Sequence, residues 1–453
     1  AAKHSGWGCP VKPYAEYTPS GIPWLGNIPA HWHRKRLRDC IEGCSNGIWG
    51  EDPDGEGDDM PVIRVADFDR RRRVVDRYET VRKIDHSQRV GRTLEQGDLL
   101  IEKSGGGEQQ PVGMVIEYLR SDAAVCSNFV ARMPPREGAI SRFLVYLHAY
   151  FYASKVTGIS VKQTTGIQNL DSGAYLSNTC YLPSPLEQQA IADYLDTETA
   201  RIDTLIREKE ELIELLREAQ AAKVSDLISG DSLPGKPSGN SWAPHLPTGW
   251  ELKKLKHLGQ VRSGLAKGKD SGDKDTVELP YLRVANVQDG HLDLREILTI
   301  PVELGSVERY SLLAGDVLMN EGGDYDKVGR GAVWTGEISP CLHQNHVFAV
   351  RPTDPDLSEW LAAVTRTRYA KFYFMNNAKQ TTNLASISQS NVKELPVLLP
   401  PKDTRDKLLR QLQTEEAELN DLIAHTNEEI VLLHELRAAT IADAVLGRID
   451  VRH

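Results

Sequence analysis

Two long stretches of this chain place apolar residues at steps of mostly three, four and seven. In the first they fall at Ile191, Leu195, Ile202, Leu205, Leu212, Leu216 and Ala219. So narrow a stripe is a coiled-coil seam, not the broad face of a globular helix. A proline-containing turn, LPSPLEQQ, opens the stretch and Gly230 closes it, the expected helix bounds. Adding 217 to each position lands on Leu408, Leu412, Leu419, Leu422, Glu429, Leu433 and Leu436, so six of the seven stay apolar. This second stretch opens at LPPKDTRD and ends at Gly447. Forty-odd residues at 1.5 Å each predict helices of about 60–65 Å, far beyond the usual 11–12 residues. Each stripe needs a partner, and the other copy is the obvious one. An antiparallel pair is expected, with one globular domain at each end and the chain termini close together.

The 217-residue offset extends well beyond the helices. KQTT occurs at Lys162–Thr165 and again at Lys379–Thr382. PVIRVAD (Pro61–Asp67) matches PYLRVAN (Pro280–Asn286), and LEQGDLLIE (Leu94–Glu102) matches LAGDVLMNE (Leu313–Glu321). NFVAR (Asn128–Arg132) matches NHVFAVR (Asn345–Arg351), and IPAHWHRKRL (Ile28–Leu37) matches LPTGWELKKL (Leu246–Leu255). The order is the same in both halves. A period this long means a duplicated domain, since solenoid units run only about 20–50 residues. Short β-rich runs separated by Gly, Asp and Pro turns predict a mixed α/β globule. The expected division is 1–182 and 231–398 for the two globular domains, with 183–230 and 399–453 for the helices.

Charge changes how the globules are viewed. The chain carries a net charge of −10, which argues against a nucleic-acid partner until its distribution is considered. The segments Pro183–Gly230 and Pro400–Leu446 hold −6 and −5 of it, leaving +1 for everything else. The helices are the acidic element, and the globules are free to carry basic faces.

No catalytic constellation is present. GLAKGKD (Gly264–Asp270) lacks P-loop spacing and has Asp where a P-loop needs Ser or Thr. HExxH, GxSxG and the Asn-Pro-Pro-aromatic tetrad of amino-methylating enzymes are missing. Asp98, Glu102 and Lys103 could hold a magnesium ion in a nuclease, but the second copy reads Asp316, Asn320 and Glu321 there. His31, His33, Cys40 and Cys44 fit no common zinc spacing, and no metal site is expected. Six scattered cysteines suggest a reduced, cytoplasmic setting. No apolar run reaches eighteen residues, so no membrane partner is expected.

Binding chemistry is concentrated in loops paired across the repeat. After the shared GD turn the first copy offers Lys103, Ser104, Gln109 and Gln110; the second offers Asn320, Glu321, Tyr325 and Lys327. Amide and charged side chains read base edges in a major groove. A second pair is the loop near Asn46–Asp58 and its match with Lys267, Lys269 and Lys274. The third is Lys162, Gln163, Thr164 and Thr165 with Lys379, Gln380, Thr381 and Thr382. Lys and Thr are typical phosphate contacts, which position without specifying sequence. An identical grip beside differing reading loops suits two readers of different sequences. The basic runs His33–Arg38 and Arg70–Arg73, with Arg71 and Arg72 at its centre, are further candidates for the DNA side, although the second copy has Gln288-Asp289-Gly290-His291 at the latter. A solvated turn is the plainer reading of that run.

Two RVA(D/N)…GD(L/V)L domains, each followed by LP-(S/P) and a long acidic heptad helix, resemble the specificity subunit of type I restriction-modification systems. The resemblance covers nearly the whole chain, through GDLL/GDVL, QTT and EQQAIADYLD–T–IDTLI in combination. It implies two mixed α/β target-recognition domains joined by two long antiparallel coiled-coil helices, in an internal pseudo-two-fold repeat. It implies a non-catalytic DNA-binding subunit of a host-defence system, which recognises a bipartite asymmetric site on double-stranded DNA and fixes its spacer with the helices. Two modification subunits would carry S-adenosylmethionine and methylate adenine. Restriction subunits would supply ATP- and magnesium-dependent translocation and cleavage. One departure is DTRDKLL at the second helix start, where the first copy has the family's Glu187-Gln188-Gln189. Two other classes remain open on sequence: a coiled-coil scaffold that binds only protein, and a nuclease or methylase in its own right.

Overall fold

The Gly-Asp turns do open buried strands in both copies. Gly97 and Gly315 adopt left-handed backbone, φ +94° and +92°, which a side chain would oppose. The strands Leu99–Glu102 and Val317–Asn320 follow, buried at every position. The Asp of each turn is also buried. Asp98 accepts from Arg132 Nε at 2.6 Å, and Asp316 accepts from Arg351 Nε at 2.7 Å. Much of the echo along the chain is therefore scaffolding: the Asp of GD and the Arg of NFVAR or NHVFAVR form one buried ion pair per copy. Likewise, Asp67 and Asn286 cap the turns that begin at Arg64 and Arg283, accepting from those backbone amides at 2.7 and 2.8 Å. Asp98 is committed to Arg132, so the grouping of Asp98, Glu102 and Lys103 is not a magnesium site.

The computed structural model describes residues 12–22, 25–107, 110–164, 166–266, 275–380 and 384–452. The chain forms two compact units. One comprises Ala1–Glu208 with Glu428–His453, the other Lys209–Asn427. Each unit holds one globule, the opening half of the helix that follows it and the closing half of the other long helix.

In the first unit the main sheet runs in the order Ser45–Asn46, Val130–Met133, Leu99–Glu102, Val115–Tyr118, Val74–Val75. All neighbours are antiparallel except the last pair. In the second unit the matching strands keep that order: Gly259–Ser263, Val347–Pro352, Val317–Asn320, Gly331–Val333. A helix, Ser141–Ala153, is buried along most of its length against the first sheet; Ser358–Thr365 does the same in the second unit. Four smaller sheets also recur with matching partners, among them His33–Arg36 with Thr179–Leu182 and Glu251–Lys254 with Pro396–Leu399. The basic run at His33 is thus an exposed strand.

The two long helices span Pro185–Ser229 and Lys402–Val445. In the first unit the core that holds Phe143 and Tyr175 also holds Ile191 and Leu195 from the start of one helix and Ile441 and Ala444 from the end of the other. Farther out, Arg437 Nε donates to Asp203 at 3.1 Å. In the second unit Val224 and Ile228 share a core with Leu412, and Gln220 donates to Asn420 at 3.3 Å. Numbers rise on one helix as they fall on its neighbour, so the pairing within each unit is antiparallel, as expected. Each fully buried aliphatic side chain contributes about 1.5–3 kcal/mol.

The seam differs in detail from the predicted one. Leu205, Leu212, Leu422, Glu429 and Leu436 are exposed, and Ala219 with them. The buried stripe instead runs through Leu195, Thr199, Ile202, Ile206 and Ile213, and on the other helix through Leu412, Leu419, Ile423, Thr426, Ile430 and Leu433 in buried or half-buried positions. The physical reason is that strict three-four spacing passes through threonine. Thr199 satisfies its hydroxyl on the Leu195 carbonyl at 2.6 Å and so sits in the seam, whereas a count of apolar letters steps past it to the nearest leucine. The 217-residue register survives the correction: Ile206 corresponds to Ile423 and Ile213 to Ile430.

His31 binds Glu187 at 2.9 Å, and the Cys40 thiol faces Cys180 at 3.9 Å. No group of three metal-binding side chains occurs among the described residues. Among those residues no helix is long and apolar enough to cross a membrane.

Candidate nucleic-acid interface

The Gly loop and the KQTT segment, about 60 residues apart in sequence, lie on one small sheet. In the first unit Val161–Thr164 pairs with Ile167–Leu170, which pairs with Ser104–Gly105. In the second unit Lys379–Gln380 pairs with Ala385–Ser386, which pairs with Gly322–Gly323. The strand order is the same. Cross-strand partners share a face, so Lys162, Asn169 and Ser104 form one row and Gln163, Gln168 and Gly105 the next. Ser104 Oγ donates to Asn169 Oδ1 at 2.5 Å. Gln168 points inward and accepts from the Val112 amide at 3.2 Å. Lys162 remains 75% exposed while pairing with Asp171 at 2.8 Å, and Gln163 is exposed beside it.

Lys103 sits at the head of this sheet in the first unit. Its Nζ donates to Asn46 Oδ1 at 2.5 Å, which brings the Asn46 loop to the Gly loop. All three nominated segments thus meet. That loop is held close by Gly47, where a side chain would lie 2.1 Å from the Cys126 carbonyl oxygen. Phe129, 46% exposed, lends its carbonyl to the Lys103 amide at 2.8 Å. Gln110, with its amide oxygen toward Arg70, accepts from that guanidinium at 2.5–2.9 Å. Arg70 also reaches the buried Glu102 at 3.3 Å. Burial pushes the Glu102 carboxyl up, and Arg70 pulls it back toward the charged form.

The second unit builds the same platform with other side chains. Glu321 replaces Lys103, and His346 replaces Phe129. The Glu321 carboxylate and His346 Nδ1 are 3.2 Å apart. Lys379 and Gln380 are exposed. Tyr325 is exposed on the following turn, where Lys327 pairs with Asp324.

Several nominated residues are placed elsewhere. Asn320 is 2% exposed and donates to the Val287 carbonyl at 2.9 Å. Buried in the sheet, it cannot reach a DNA groove. Its burial follows from its place as last residue of a fully buried strand, one position before the platform begins. Arg71 turns toward a long helix and pairs with Asp203 at 3.1 Å, and Arg72 pairs with Asp69 and Asp76 at its own turn. Thr164 belongs to a platform strand. Gln109, Thr165, Lys267, Lys269, Lys274, Thr381 and Thr382 lie outside the described residues. Asn46, Asn169 and Phe129 were not singled out as reading residues on sequence. The 129/346 pair carried a signal: the flanking letters agree across the repeat while Phe and His differ.

Residues 247–432 match the model of the type I restriction modification DNA specificity domain. Over that stretch the chain is similar to this family. Among relatives of the specificity-subunit family, the type I restriction enzyme EcoKI specificity subunit of Escherichia coli K12 is 23% identical over 366 residues, spanning 78% of this chain and 75% of its own. The MjaIX specificity subunit of Methanocaldococcus jannaschii is 20% identical over 452 residues, spanning 94% and 95%. The crystal structure of the HsdS subunit from Thermoanaerobacter tengcongensis aligns with a TM-score of 0.52 at 16% identity, over 93% of this chain and 98% of that one. A chain from a structure of type I restriction-modification complex assembly aligns with a TM-score of 0.61 at 18% identity, over 92% and 98%. These structural likenesses establish a shared fold, two mixed α/β globules with long paired helices.

Proposed function

We propose that this chain is the sequence-reading subunit of a type I restriction-modification complex. Residues 1–182 and 231–398 act as its two target-recognition domains, and 183–230 with 399–453 form the spacer element. The observation that carries this reading is the platform built twice, with Lys-Gln common to both copies and different side chains at its head. Lys162 and Lys379 grip phosphate, which positions without specifying. Lys103 suits guanine, Asn46 and Asn169 suit adenine, and Phe129 suits a thymine methyl; Glu321 suits cytosine. Two unlike platforms read two unlike half-sites. The Lys103–Asn46 and Ser104–Asn169 bonds hold these side chains before DNA arrives, so less freedom is lost on binding.

Methyl transfer and cleavage are assigned to partners. Two modification subunits would supply S-adenosylmethionine chemistry on an adenine turned out of the duplex, and restriction subunits would supply ATP- and magnesium-dependent steps. The decisive experiment maps methylated adenines in a host with and without this gene, then with one heptad added to both helices. Seven residues add about 10 Å, on the order of three base pairs of rise. The half-sites should persist while the accepted spacer lengthens. Loss of no methylated motif on deletion of the gene would overturn the reading, and an unchanged spacer would overturn the ruler.

A further inference from the structure

The first unit contains a cavity of about 430 Å³ at the Arg70–Arg73 turn, beside the helix Ser141–Ala153 and the paired long helices. Its wall carries Arg71, Arg73, Arg142 and Arg437, with Glu117 and Tyr146. Arg72 also lines the wall, and four of these five guanidinium groups have acid partners, Arg72 on Asp69 and Asp76. Arg142 pairs with Asp196 at 2.6 Å, and Arg71 and Arg437 share Asp203 at 3.1 Å each. Among the described residues Arg73 has none: its Nε and Nη1 are wholly buried and make no hydrogen bond. The other acid in the wall, Glu117, is buried, and burial raises its carboxyl toward the neutral form.

Arg73 is fixed where it stands. Its backbone is left-handed, φ +56°, and its amide donates to the Asp69 carbonyl at 2.7 Å. Its own carbonyl accepts from the Glu117 amide at 3.0 Å. A guanidinium does not shed its proton in a protein, and a buried charge without a counter-charge is strongly unfavourable. The corresponding turn of the second unit has an internal solution. There Asp289 supplies the anion, paired with Lys371 at 2.6 Å and Arg366 at 4.0 Å. The first unit carries arginines in place of that acid, and its wall acids Asp196 and Asp203 are taken up by Arg142, Arg71 and Arg437, which leaves Arg73 open to an anion from outside the chain.

We propose that this cavity binds a small phosphate-class oxyanion, either inorganic phosphate or the terminal phosphate of a nucleotide, with Arg73, Arg142 and Arg437 converging on it. Planar guanidinium groups match phosphate oxygens two at a time. A phosphodiester within a duplex carries a sugar on each side, whereas a free or terminal phosphate has more oxygens open to the guanidinium groups and less bulk to admit, so the latter is the fit. The bound anion joins the turn of the recognition domain to both long helices. The proposal stands independently of the DNA-reading assignment.

The test uses the full chain in chloride buffer at constant ionic strength, titrated separately with inorganic phosphate, ADP and ATP. Calorimetry should give saturable binding, and the thermal midpoint should rise with ligand concentration as linkage requires. A nucleotide that binds at least tenfold more tightly than inorganic phosphate identifies the source as a nucleotide; equal affinities identify the free ion. Arg73→Gln should weaken binding by about tenfold or more, and in phosphate-free buffer it should be the more heat-stable protein, because it removes an unpaired charge. Absence of saturable binding to the unmodified protein overturns the proposal whether or not the variant folds. So does full retention of binding in Arg73→Gln. Displacement of phosphate by a duplex oligonucleotide at matched charge concentration would assign the cavity to DNA and overturn the small-anion reading.

Discussion

Lys103 and Asn46, 57 positions apart, are joined by a 2.5 Å hydrogen bond between Nζ and Oδ1. The bond holds a positive charge and an amide side by side at the head of the small sheet that also carries Lys162. Lys103→Ala should weaken DNA binding by on the order of 1–3 kcal/mol and relax specificity at one position. Lys162→Ala should weaken binding across all sequences and lower the slope of log affinity against log salt by about one. Filter binding over a salt series distinguishes them; a salt slope untouched by Lys162→Ala would remove that residue from the phosphate contacts.

The corrected seam makes a stability prediction. Ile213 is buried on the seam, whereas Leu215, two residues on, is exposed. Ile213→Ala should cost about 2–4 kcal/mol, and Leu215→Ala within about 0.5 kcal/mol. Urea denaturation of both variants checks it. Equal effects would mean that burial along this helix does not follow a seam through Ile213.

Breaking one repeated ion pair should be severe. Asp98 is almost wholly buried against Arg132. Arg132→Ala leaves a carboxylate sealed from water without its cation, at a cost of roughly 3–5 kcal/mol. The double variant Asp98→Asn with Arg132→Met removes the stranded charge and should recover part of that loss. Thermal denaturation of Arg132→Ala and of the double variant checks both expectations.

His343 supplies a pH dependence. Its ring is fully buried, Nδ1 donates to the Val347 carbonyl at 2.7 Å, and Nε2 has no partner. Burial, with Arg262 and Arg351 nearby, lowers its pKa to about 4, against the opposing effects of the Val347 carbonyl and Asp316. Between pH 6.5 and about 4 the unfolded chain takes up a proton that the native chain refuses. Stability is therefore full above that window and falls as pH drops through it, by a few kcal/mol at most. His343→Gln should flatten this part of the curve in thermal unfolding followed across the same range.

How much of this was legible from residue order varies by element. The strand-opening GD turns, the helix bounds at proline and glycine and the duplication were all readable, because each depends on local backbone preference or on simple repetition. The seam was readable only to its period. Leu205 and Ile206 are equally apolar letters, and only the partner helix decides which one is covered. At the interface, Lys103 and Lys162 were nominated from the Gly loop and the KQTT motif, but nothing local indicated that the two share a sheet. Asn320 and Glu321 are both polar neighbours, and strand alternation at the end of a buried run put the first inside and left the second at the platform.

By itself the order of residues determined that one α/β pattern occurs twice and that each copy leads into a long acidic heptad helix. Those properties follow from short-range steric preference and from periodicity, which need no knowledge of what lies across the molecule. The tertiary structure alone decided that Asp98 serves Arg132 and no metal, that Asn46 meets Lys103, and that Arg73 buries its Nε and Nη1 with no acid among the described residues beside them. Such outcomes rest on distances between segments far apart in the chain. Burial and counter-charge act through space, and the same side chain reads a base, braces a strand or awaits an anion according to what folding sets beside it.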